Sequence, residues 1–288
     1  MQPNIQIGQI NGFSEDADGA ISMKSYQQDT IIAGISQHHI DSPQRVLDML
    51  LEVQNGLTQD WGTYEIDFHV TASVNSIHSN GDGHISIVNG TAGDSVTHVL
   101  LVNRNTDTVE IVSEGAKNGL WLGAFIENET LQSVEEATNI WDVTLHEGQE
   151  LHVISMSDGI PFQRNPMTIV DTPDCLLLES VKDYLLETPY NEVDLTRYLI
   201  NYAEAFKTKD NASVATQSFT KDSPAGNSII GVFDATDGTD DDMASFRTKL
   251  DTILNSERYS GPIEKIQPCN TSGSAGRYPS PAFSLNFF

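Results

Sequence analysis

The chain has 288 residues, with 15 Lys and Arg against 41 Asp and Glu and a formal net charge of −26. So acidic a surface excludes binding to nucleic-acid phosphates and docking on anionic membranes, both of which need clustered Lys and Arg. At 38% hydrophobic residues, it is long enough to close a core without disulfide staples.

From the N-terminus, Met1-Gln2-Pro3-Asn4 carries neither a basic stretch nor an apolar leader, so a cytoplasmic protein is expected. The apolar stretch from Thr30 to Ile35 predicts a short buried strand. Ser42 as cap and Pro43 in the first turn start a helix, on which Val46, Leu47, Leu50 and Leu51 recur at helical spacing; Asn55-Gly56 is its expected stop. Tyr64, Ile66, Phe68 and Val70 alternate with polar residues, and strands are expected at 74–77, 84–88, 96–102 and 108–112. Turns at 80–83 and 103–106 join them as hairpins. A strand over 150–156, helices over 174–186 and 192–206, and strands over 214–219 and 229–233 complete the pattern. Strands grouped with strands and helices with helices read as an α+β fold, one domain over 1–256, with a Ser-, Gly- and Pro-rich tail over 257–288.

Cys175 and Cys269 form no framework of disulfides or zinc ligands. The sequons at Asn89, Asn128, Asn211 and Asn270 are expected by chance in an Asn-, Ser- and Thr-rich chain. His146 and His152 have no third ligand at zinc spacing, and the acidic run Asp237 to Asp242 reads as the start of a helix before Met243 and Phe246. No nucleophile elbow, Walker loop or dinucleotide fingerprint follows a predicted strand.

Aspartates at strand ends are the remaining chemistry. Asp158 follows the strand ending at Met156, with Gly159 freeing the turn; Asp210-Asn211 precedes the strand beginning near Val214; Glu15-Asp16 lies near the N-terminus. Singly these are ordinary turn dipeptides. Converging in one cleft, they are what a hard dication needs, and such an ion can activate water for attack on a phosphoester.

Taken in order, Ser14-Glu15-Asp16-Ala17, Thr71-Ala72, Gly93-Asp94-Ser95, Leu122-Gly123, Ser157-Asp158-Gly159 and Asp210-Asn211 resemble the motifs of the PPM family, the metal-dependent type 2C serine/threonine phosphatases. The resemblance runs over residues 5–235 and implies two antiparallel sheets packed face to face, flanked by helices. It implies Asp16, Asp158 and Asp210 as ligands of Mn²⁺ or Mg²⁺, with Glu15 acting through water. Three positions depart from the family. Gln37, in the segment Gln37-His38-His39, matches its bridging aspartate; Asn11 matches its phosphate-clamping arginine; Ala124 matches an aspartate. His38 or Asp41 is a conceivable replacement ligand. Two readings stay open: a divergent phosphatase acting on phosphoproteins, and a catalytically inactive pseudophosphatase that binds a basic protein partner.

Overall fold

The computed structural model describes residues 4–15, 18–23, 29–61, 69–113, 122, 137–160, 174–206, 208, 210–236 and 240–265. It is an α+β sandwich, as the PPM resemblance implies. One sheet has the order β1 (Asn4–Ile10), β11 (Ala212–Thr220), β10 (Gln149–Met156), β7 (Val96–Asn103) and β8 (Thr108–Ser113). The other has the order β13 (Ile263–Lys265), β4 (Thr30–Ser36), β12 (Gly226–Thr236), β5 (His69–Ser79), β6 (His84–Ala92) and β9 (Thr138–Thr144). A small hairpin, β2 (Phe13–Glu15) with β3 (Ile21–Met23), stands apart, and every pairing in the three sheets is antiparallel.

Two helices cover each outer face. On the six-stranded sheet, α1 (Pro43–Trp61) and α4 (Asp240–Leu254) bury Val46, Leu50 and Val53 with Phe246 and Leu250 against Val74, Val88 and Phe233. On the five-stranded sheet, α2 (Asp174–Glu187) and α3 (Leu195–Phe206) bury Leu178, Val181, Leu195 and Leu199 against Leu100, Ile154 and Val214. Ser42 Oγ accepts the Arg45 N–H at 3.4 Å and Asp194 Oδ1 accepts the Arg197 N–H at 2.9 Å, so α1 and α3 each begin with a side-chain cap. No helix among the described residues is long and apolar enough to cross a membrane.

Between the sheets, Ile77, Ile85, Ile87, Val99, Leu151, Val153, Phe219 and Ile230 form the central core. Toward one end this filling turns polar: Thr97 Oγ1 meets Ser73 Oγ at 2.6 Å and accepts the Asn75 and Asn89 amides at 2.8 and 3.2 Å. Asn89 and Asn211 are almost wholly buried, which closes both sequons to a glycan.

The expected elements are present with three corrections. Asn55-Gly56 does not stop α1, which runs to Trp61. Leu57 continues its buried stripe, and Lys249 of α4 caps the Gly56 carbonyl at 2.9 Å, so packing overrides the turn signal. The folded unit passes residue 256: Tyr259 and Ser260 are buried, and Ile263–Lys265 add an edge strand to β4. Strands β1 and β9 carry no clear alternation in the sequence; β9 is an edge strand that exposes Ile140, Asp142 and Thr144. Most of the strand expected at 64–70, Cys269 and the tail beyond 265 lie outside the described residues.

Candidate metal centre

Five aspartates meet at the polar end of the sandwich. Asp29 immediately precedes β4, Asp94 lies in the turn between β6 and β7, Asp158 follows β10, Asp210 precedes β11, and Asp234 lies near the end of β12, opposite Thr71 of β5. Antiparallel pairing makes this convergence unavoidable: strands that start at this end alternate with strands that finish there.

The local backbone is built for close approach. Gly93 has φ +77°, and a Cβ there would stand 2.5 Å from the Thr71 side chain. Thr71 Oγ1 and Ser95 Oγ meet at 2.7 Å and pin the turn that carries Asp94. A Cβ on Gly159 would meet the Asn211 carbonyl oxygen at 2.0 Å, so the chains bearing Asp158 and Asp210 touch backbone to backbone. Gly159→Ala is therefore expected to cost about 3 kcal/mol of stability, as overpacking against rigid backbone does, and chemical denaturation measures it. Ser157 Oγ donates to Asp29 Oδ2 at 3.2 Å and accepts the Ser213 N–H at 3.0 Å, tying β10, β11 and the entrance of β4 together.

The electrostatics are one-sided. Burial pushes the Asp158 carboxyl up to about 7, helped by the charges of Asp94 and Asp210. Burial likewise pushes Asp29 to about 6, and raises Asp234 well above the usual carboxylate range with help from Asp29 and Asp158. Asp234 hydrogen-bonds both Asp29 and Asp158, and a hydrogen bond between two carboxyls requires a proton, so the three share protons while no cation is bound. Asp29 Oδ1 and Asp158 Oδ1 are buried without a hydrogen-bond partner, a condition that costs a carboxylate heavily unless a cation satisfies it.

By chemistry this donor set fits a hard dication: every donor is oxygen, and two of the oxygens are orphaned. As they stand, no three His, Cys, Asp or Glu side chains among the described residues enclose an ion. The carboxyl of Asp234 is hydrogen-bonded to its two neighbours, and the protons shared by the three would have to leave before an ion could be held.

The expected site residues divide. Asp158 and Asp210 are in the cluster, Asp158 partly buried and Asp210 exposed at the rim. Asn11 is at the same rim, since the Gly12 N–H beside it donates to Asn211 Oδ1 at 2.9 Å. Asp16, Ala124 and the side chain of Glu15 lie outside the described residues. Gln37 and His38 do not join the site. They follow β4 at its far end, exposed, with the Gln37 carbonyl accepting from Asn227 at 3.2 Å and the His38 N–H donating to Ser260 at 3.0 Å. Seven residues of strand, about 23 Å at 3.3 Å per residue, separate them from Asp29. Asp41 is also there, paired with Arg45 at 3.0 Å. The reason is direction: β4 starts at the aspartates and runs away from them, and β12 is the neighbour that runs toward them. His152 is no ligand either, being fully buried with Ser218 Oγ at 2.8 Å and Glu150 Oε2 at 3.4 Å. Sequence reasoning missed Asp29 and Asp234, although each shows the signal that exposed Asp210 and Asp158, an aspartate directly before or after an apolar strand.

No protein-family model matches the chain, and no curated protein does. Solved structures similar to it include a bacterial serine phosphatase (12% identity, TM-score 0.41, 75% of this chain and 98% of the other). The phosphatase domain of the cell-fate determinant SpoIIE from Bacillus subtilis is similar at 13% identity and TM-score 0.30, over 83% of this chain and 97% of the other. The RsbU and RsbW domains of a Mycobacterium tuberculosis protein are similar at 12% identity and TM-score 0.44, over 77% of this chain and 62% of the other.

Proposed function

We propose that the aspartate cluster is a divalent-cation site and that the chain is a phosphomonoester hydrolase acting on phosphoserine or phosphothreonine in proteins. The observation that carries this reading is the pair of orphaned, buried oxygens on Asp29 and Asp158, whose carboxyls both hydrogen-bond Asp234. The PPM resemblance supplies the reaction class.

Asp158, Asp234 and Asp29 would hold the ion from inside and Asp210 from the rim. Bound there, Mn²⁺ or Mg²⁺ would supply Lewis acidity and an activated water. Asp234 would be the central ligand, because it hydrogen-bonds both Asp29 and Asp158. It offers on β12 what the motif order sought at Gln37, so the neutral side chain of Gln37 does not weaken the reading. Ser157 holds Asp29 in place, and the Gly159–Asn211 contact fixes the spacing of Asp158 from Asp210. The charge of −26 repels a phosphorylated substrate until cations neutralise this end.

Asn11 favours the second reading, a non-hydrolytic module that binds a basic protein surface. An amide does not clamp a phosphate as a guanidinium does. Turnover of a phosphothreonine peptide in excess Mn²⁺ separates the two. The phosphatase reading expects turnover by the wild type and none by Asp158→Asn; folded protein inactive in both forms would leave the binding module.

A further inference from the structure

At the far end of the sandwich a second donor cluster faces outward from the six-stranded sheet. His39 lies in the connection between β4 and α1, and His78 is near the end of β5. Their ring centroids are 5.6 Å apart at an interplanar angle of 32°. Each ring is held by its Nδ1. His78 Nδ1 donates to Asn227 Oδ1 at 2.8 Å, an assignment fixed because the Asn227 amide nitrogen donates to the Gln37 carbonyl. His39 Nδ1 meets Ser76 Oγ at 3.0 Å, and that oxygen also accepts the Ile40 N–H at 2.9 Å. An imidazole anchored through Nδ1 to an oxygen, with Nε2 left over, is the arrangement in which histidines bind metals.

The sheet register brings a third donor onto the same face. His78 is opposite Ser86 of β6, and Ser86 is opposite Asp142 of β9. Facing residues of adjacent strands project to the same side, and two strand spacings of about 4.8 Å are within reach of His and Asp side chains together. Both histidines are half-buried and Asp142 is exposed, so an ion has a path from solution. Burial and the neighbouring His78 hold the His39 ring neutral, its pKa lowered to about 4; Asp41, Arg45 and Asp142 are the other charged groups that act on it. A neutral imidazole is the form that ligates.

We propose that His39 and His78 form a chelate for a dication of the zinc class, closed by rotation of Asp142 from β9. Nitrogen donors select this class of ion over the Mg²⁺ and Mn²⁺ suited to the all-oxygen aspartate cluster. No three acidic, histidine or cysteine side chains among the described residues already enclose an ion, so the two imidazoles are the first ligands and the carboxylate follows. The bound ion would join the segment before α1 to the sheet at β5, at the opposite end from the aspartates.

The test is calorimetric titration of the full chain with Zn²⁺ while excess Mg²⁺ occupies oxygen-only sites. Wild type and Asp158→Asn are expected to bind one equivalent alike, and His39→Gln and His78→Gln to bind about 10-fold or more weaker, as loss of metal-site groups does. Circular dichroism establishes that each variant is folded. Equal Zn²⁺ binding by wild type and His78→Gln would overturn the proposal, as would binding lost only in Asp158→Asn. Neither result depends on phosphatase turnover.

Discussion

Asp234→Asn is expected to lose Mn²⁺-dependent turnover by at least about 1,000-fold, because Lewis-acid stabilisation is worth several kcal/mol and each 1.36 kcal/mol is tenfold. The same variant is expected to be more stable than wild type when metal-free at pH 8. Asp234 is buried beside Asp29 and Asp158, and ionising it there sets like charges together in a low-dielectric pocket. Asparagine keeps the shape and a donor toward Asp29 without acquiring charge. A gain of about 2 kcal/mol is expected from relief of that repulsion. Opposite signs on activity and stability are the mark of a site that stores repulsion for a ligand. Loss of both would make Asp234 a structural residue.

The second large effect is the pH dependence of metal-free stability. Asp29 and Asp158 have folded values of about 6 and about 7, above their ordinary 3.8. Between those limits the native state holds protons that the unfolded chain releases, so stability falls as pH rises from about 4 to about 7. At 1.36 kcal/mol per pH unit for each proton, the drop attributable to these two carboxyls is at most about 7 kcal/mol. Saturating Mn²⁺ should flatten the profile by replacing the protons, and Asp158→Asn should remove most of it. Urea midpoints measured across that pH range, with and without Mn²⁺, check both. Stability that instead rises steadily through this window would show that the carboxyls are ionised and satisfied without metal.

The sheets were legible because His84–Val88 alternates, while Val96–Val102 and Glu150–Met156 are apolar-rich runs of strand length, buried on both faces. Edge strand β9 was not, since its apolar residues fall on both faces, with Ile140 exposed to solvent and Trp141 and Val143 turned inward, and so give no clean alternation. Part of the site was legible too. Asp158 and Asp210 could be read as aspartates at strand ends and Asp94 lies in the Gly93-Asp94-Ser95 motif, but the strand-end rule applied to Gln28-Asp29-Thr30 and Phe233-Asp234-Ala235 finds the remaining two. What misled was direction. Placing Gln37 at the site assumes that β4 finishes there, and only its pairing with β12 reveals that it starts there. Strand polarity is set by partners distant in sequence, so no local pattern encodes it. The histidine pair is similarly non-local, since His39, His78 and Asp142 share a face only through the register of β5, β6 and β9.

Anomalous diffraction from crystals grown with Mn²⁺ locates the ion itself. Manganese density is expected bounded by Asp29, Asp158 and Asp234 with Asp210 at the rim, the carboxyl of Asp234 turned from its neighbours to the ion. Crystals from saturating Mn²⁺ in which these carboxyls remain hydrogen-bonded to one another, without anomalous density, would contradict the proposed site.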